Sequence, residues 1–163
     1  MKTITRHKAF ETNSSSTHSV CVYGQGAEEE GFEKFDKHHL HDIGSGEYGW
    51  EQDTFYGFHN KLDYLHIYLD QTENMFERPA HIKNGRALLQ WLVDEFKARG
   101  KEIFLNEVIP NNQAHAYNWG KGYIDHQSCP SNTMETEVLS SQKALLNFLF
   151  NDSCYFETDN DNH

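Results

Sequence analysis

Basic residues are scarce in this chain. Against 25 aspartates and glutamates stand 14 lysines and arginines, so the formal net charge at neutral pH is −11. That excess rules against general attraction to nucleic acid, because phosphate binding requires a basic face. Long apolar runs are missing as well. No segment approaches the roughly 18 consecutive apolar residues of a membrane helix, and the opening MKTITRHKAF lacks the apolar stretch of a secretory signal. Cys21, Cys129 and Cys154 are odd in number, widely spread and contain no CxxC pair. This favours free thiols in a reducing cytoplasm over a disulfide framework or a thiolate zinc site. No internal repeat and no Pro/Gly/Ser linker divides the 163 residues, so one domain over 1–163 is expected.

What is present suffices for a core: 37% of residues are hydrophobic and 13% aromatic. The charge is unevenly placed. Between Ala27 and Asp53 nine acids face two lysines, a balance of −7, and Asp152 to His163 adds four acids and no base. These two stretches hold the whole excess. The first is cut by glycines and reads as a flexible acidic segment around 24–53, with at most a short helix near Glu29 to Leu40. The second reads as a solvated acidic tail around 157–163. The first twenty residues run the other way, with Lys2, Arg6 and Lys8 against Glu11.

Periodicity predicts a mixture of elements. Thr3 to Ala9 reads as an edge strand and SVCVY, Ser19 to Tyr23, as a buried one. NKLDYLHIYLDQ places Leu62, Leu65 and Leu69 on one helical face. NGRALLQWLVDEFKARG predicts a helix capped by Asn84, stopped by Gly100, and burying Leu88, Trp91, Leu92 and Phe96. SSQKALLNFLFN predicts a third helix, capped by Ser140 or Ser141. Further strands are expected at 102–109, 122–126 and 154–157. Without a clean βαβ alternation, the expected class is a single α+β domain, with a mixed or antiparallel sheet packed by about three helices.

The most unusual string is FETNSSSTHS, residues 10–19, with six hydroxyls, an amide and a histidine directly before a strand. Such a loop can form turns in which Ser or Thr bonds its own backbone, or its amides can converge into an anion-holding nest. Arg6 and Lys8 upstream add positive charge. The expected ligand-binding set is Arg6, Glu11, Asn13, Ser14, Ser16, Thr17 and Ser128. The expected catalytic set is His18 and His126 for proton transfer and Ser15 as nucleophile. His126 and Ser128 come from YIDHQS, where alternation along a strand puts them on one face, away from Asp125. A solvated loop and a half-buried strand with a wet face are the competing readings of these two stretches.

Two further clusters are less specific. In HHLHD, a helix would bring His38, His41 and Asp42 together at i, i+3 and i+4; they are the divalent-metal candidates, against the commoner reading of surface histidines. No cofactor is otherwise indicated. Glu135 and Glu137 of METEV form an ExE pair. The order Arg, serines, ExE resembles arginine-specific ADP-ribosyltransferases, but Arg6 stands only eight residues before Ser14 and no spaced Ser-Thr-Ser strand is present.

FETNSSSTHS before a hydrophobic strand, together with KLDYL (61–65), YIDHQS (123–128) and YFETDND (155–161), resembles small uncharacterised proteins of bacteriophages and prophages. That resemblance implies action inside a bacterial host cell and carries no activity with it. Two functions follow as expectations. The first is binding or processing of a nucleotide or other phosphoester ligand by the Ser/Thr/His loop. The second is a non-catalytic acidic inhibitor, a nucleic-acid mimic or anti-defence protein, lying in a basic groove of a host enzyme. The expected partners are thus a small phosphorylated ligand or a host protein, and no membrane.

Overall fold

A computed structural model describes residues 16–24, 30–35, 39–48, 52–75, 80–106, 122–124 and 131–160. Their order is β1 (Ser16–Cys21), α1 (Glu30–Lys34), β2 (His39–Ile43), β3 (Glu47–Tyr48), β4 (Asp53–Phe55), α2 (Phe58–Met75), α3 (Ala80–Ala98), β5 (Glu102–Leu105), β6 (Tyr123–Ile124), α4 (Ser131–Thr133), a π-helical turn (Met134–Val138), α5 (Gln142–Phe150) and β7 (Tyr155–Asn160). The class is α+β, as expected. A three-stranded antiparallel sheet runs β1-β7-β4, and two short parallel ladders pair β2 with β5 and β3 with β6.

The architecture is organised around α2. Its leucines bury as their helical spacing predicts, yet every residue from Lys61 to Leu69 is buried, the polar ones included. A helix enclosed on all sides must find partners for its polar groups, since an unpaired buried donor or acceptor costs about 1–3 kcal/mol. Lys61 Nζ donates to the carbonyls of Asn151 (3.0 Å) and Cys154 (3.1 Å), tying α2 to the α5–β7 connection. Gln71 Oε1 accepts the amide of Ile124 at 3.1 Å and so holds β6. His66 Nε2 donates to the Asn106 carbonyl at 2.8 Å, just beyond β5. Around this axis pack α3, α5, β2 and β6. Phe32, Phe35, Phe58, Phe96 and Phe150 form one aromatic group, and Tyr48, Phe55, Tyr64 and Phe156 form another beneath the three-stranded sheet.

Several expected boundaries move. Helix α3 begins at Ala80, so Asn84 lies inside it and is no cap, whereas Gly100 does end it with φ +71°. Ser141 does cap α5, its Oγ accepting the Ala144 amide at 3.1 Å. In the acidic segment α1 falls on the expected short helix, whereas strands β2 and β3 stand in place of the expected loops, because Leu40, Ile43 and Tyr48 turn inward between the acids. Likewise the tail begins inside β7: Phe156 and Thr158 point inward while Tyr155 and Glu157 point outward, a period-2 pattern that the acid count obscured. The expected strand at Thr3–Ala9 lies outside the described residues.

Candidate functional site

The described part of the hydroxyl string is not loop. Ser16 and Thr17 are the first residues of β1, whose ladder with β7 sets Ser16 opposite Asn160, Thr17 opposite Asp159, His18 opposite Thr158 and Ser19 opposite Glu157. Adjacent strand residues face opposite sides, so His18 and Ser19 part company. His18 turns into the core, 4% exposed, and its Nδ1 shares a 3.0 Å hydrogen bond with the Tyr64 hydroxyl. Tyr64 in turn stacks on Phe156 with ring centroids 4.2 Å apart. On the outer side, Ser19 Oγ donates to Glu157 Oε2 at 3.1 Å. A carboxylate therefore already occupies the hydroxyl face, where it opposes a second anion. Of the remaining nominated residues, Arg6, Glu11, Asn13, Ser14, Ser15, His126 and Ser128 lie outside the described residues.

An anion-holding nest does exist elsewhere, and the protein fills it itself. The turn between β2 and β3 directs three successive amides at Asp63: Gly44 N–H to Oδ1 at 2.5 Å, Ser45 N–H to Oδ1 at 3.1 Å and Gly46 N–H to Oδ2 at 3.2 Å. The Tyr48 hydroxyl donates to Oδ2 at 2.6 Å. Burial, then the neighbouring carboxylate, pushes the Tyr48 phenol well above its ordinary pKa, so it stays a donor. Glycine is required twice here. Gly44 has φ +100°, and a methyl on Gly46 would overlap the Asp63 carboxylate. In the sequence these residues are two glycines of an acidic stretch and an aspartate on a helix (17 to 19 positions apart). No local signal joins them.

The HHLHD cluster is corrected in the same way. Residues 39–43 are strand β2, so the helical spacing of His38, His41 and Asp42 does not apply, and His38 lies outside the described residues. A register shift between Leu40 and Ile43 lets both face inward and leaves His41 and Asp42 both exposed, with Asp42 at φ +66°. The His41 ring stacks on Phe104 at 4.6 Å, and His39 Nδ1 lies 3.4 Å from Glu102 Oε2. Among the described residues no three His, Cys, Asp or Glu side chains gather as a metal-holding group. Glu135 and Glu137 are exposed on the π-helical turn.

The outer face of the three-stranded sheet carries what sequence reading missed. The ring of Tyr155 on β7 lies 5.0 Å from that of Tyr56, just past β4, and 6.3 Å from that of Tyr23, just past β1. Tyr56 is 51% exposed and Tyr23 37%. Below the tyrosines on the same face come Ser19, Glu157 and Thr54. Glu157 puts a carboxylate on this face, and strands β1, β4 and β7 contain no lysine or arginine. Two of the tyrosines and the glutamate could have been noticed by period-2 spacing, but Tyr56 joins them only through strand pairing.

Comparison with known proteins adds no relative: no family model, curated protein or solved structure matches this chain. No described helix is long and apolar enough to cross a membrane.

Proposed function

We propose that this chain is a non-catalytic binding protein whose acidic sheet face docks on a basic surface of a bacterial host protein. The observation that carries this reading is the zippering of the Ser16–Ser19 strand to the acidic strand β7, with Ser19 hydrogen-bonded to Glu157. A surface built this way repels phosphate and attracts cationic side chains. The net charge of −11 and the likeness to phage and prophage proteins agree with a host partner. Capture from a bacterial lysate, followed by identification and titration of the purified partner, tests it. The expected partner binds through a basic surface, with affinity that falls steeply as salt is raised.

A second reading keeps the phosphoester ligand at the net-positive stretch that leads into β1, where Lys2, Arg6 and Lys8 precede Ser14 and Ser15. Its test is thermal stabilisation by a panel of nucleotides, NAD, cyclic dinucleotides and divalent metals, because a ligand of the folded state raises the melting temperature. A rise that disappears in Ser15→Ala would favour this reading over the first.

A further inference from the structure

The exposed end of the sheet joins two chemistries that together select one kind of cation. Three tyrosine rings adjoin at Tyr23, Tyr155 and Tyr56, and the carboxylate of Glu157 stands on the same strand and face as Tyr155. The Ser19 hydroxyl donates to that carboxylate and helps to fix its position. Aromatic faces attract cations through the ring quadrupole, and tyrosine is favoured at protein interfaces because a large rigid ring carries a polar tip. Nucleobases would also stack on such rings, but their phosphates would meet Glu157 in strands devoid of lysine and arginine. A guanidinium suits both elements. It is planar, so it lies flat on a ring, and its fork of N–H groups matches a carboxylate; an ammonium does neither as well. The same fold already stacks one such pair, with the Arg99 guanidinium 4.4 Å from the centroid of Phe32.

We propose that the Tyr23–Tyr155–Tyr56 platform with Glu157 is a docking site for an arginine-bearing segment of a partner protein. The inference rests on the acidic-docking function and narrows it, assigning the residues that make contact and the side chain they select. Arginine would lie on the Tyr155 and Tyr56 rings while its N–H groups reach Glu157.

The test titrates the isotope-labelled full chain with two peptides equal in length and charge, one carrying arginines and the other lysines. Backbone amide shifts report where each binds. The expected result is about tenfold tighter binding of the arginine peptide, with the largest shifts at Tyr23, Tyr56, Tyr155 and Glu157. Tyr56→Ala should reduce arginine affinity to the lysine level without lowering the melting temperature, because this ring is half exposed. Glu157→Gln should act in the same direction. Equal affinities, shifts confined to 24–53, or unchanged arginine binding by Tyr56→Ala would overturn the platform while leaving acidic docking intact. No binding of either peptide would remove both. Displacement of the arginine peptide by a neutral oligosaccharide would overturn it in favour of a carbohydrate-stacking surface.

Discussion

The Tyr48 hydroxyl donates to Asp63 Oδ2 at 2.6 Å while the amides of Gly44, Ser45 and Gly46 close on the same carboxylate. One side chain of the central helix thus fixes the turn between two strands that belong to different ladders. Asp63→Asn retains the volume but presents N–H groups to at least one of these donors. The expected loss is about 3 kcal/mol, read as a lower denaturant midpoint. Gly46→Ala should destabilise comparably by forcing the turn off the carboxylate, and a wild-type midpoint for either variant would contradict the nest.

Lys61 should make alkaline stability distinctive. Burial lowers its pKa from 10.5 to about 8, although Cys154 and Asp152 act the other way. The folded state therefore releases this proton more readily than the unfolded one, and between pH 8 and 10.5 unfolding takes up a proton. Through that window the lysine contributes increasingly in favour of folding. Melting temperatures of wild type and Lys61→Met, compared as pH rises from 8 to 10, should shift progressively in favour of the wild type. The raised Cys154 thiol acts oppositely in both proteins; Lys61 lowers it, so removing the lysine raises it further and this change also favours the wild type as pH rises. A constant difference would mean that Lys61 does not titrate in this range.

His66 predicts the acid side. Burial lowers its pKa below the ordinary 6.5, outweighing the Asn106 carbonyl that favours the charged ring. The unfolded chain binds the proton first, so the stability this neutral histidine contributes is present above pH 6.5 and lost as pH falls toward its folded value. His66→Gln can still donate to Asn106 and carries no titration. Its melting temperature should fall less than that of the wild type when pH is lowered from about 6.5 to 5. Parallel curves for the two proteins would refute the assignment.

His18→Ala separates a structural from a ligand-dependent role for this histidine. Loss of its bond to Tyr64 in a buried site should cost about 1–3 kcal/mol whether or not any ligand is added. A variant with wild-type stability but lost stabilisation by a nucleotide would support the phosphoester reading instead.

Much of the fold was legible in the chain. The leucine spacing of α2, Gly100 at the end of α3, the Ser141 cap and the buried Val20 and Cys21 of β1 each express a local rule, because helix and strand periodicities and caps act between near neighbours. The strand expected at Ser19–Tyr23 instead runs Ser16–Cys21 and leaves Tyr23 exposed. The strong positions of β7 were legible too, yet its acids masked their alternation. Asn84 failed as a cap because α3 begins one turn earlier, and the histidines of 38–42 failed as a helical group because residues 39–43 pair with β5.

The sequence by itself determined an acidic α+β domain, its three longest helices and the placement of its charge, since composition and short-range periodicity decide these. Only the tertiary structure decided which way FETNSSSTHS faces where it is described. Ladder register splits His18 from Ser19, giving the first to Tyr64 and the second to Glu157. It also decided that the anion nest belongs to Asp63 and that Tyr23, Tyr56 and Tyr155 meet. Strand pairing and helix burial bring together residues far apart in the chain, and no pattern of near neighbours encodes those contacts.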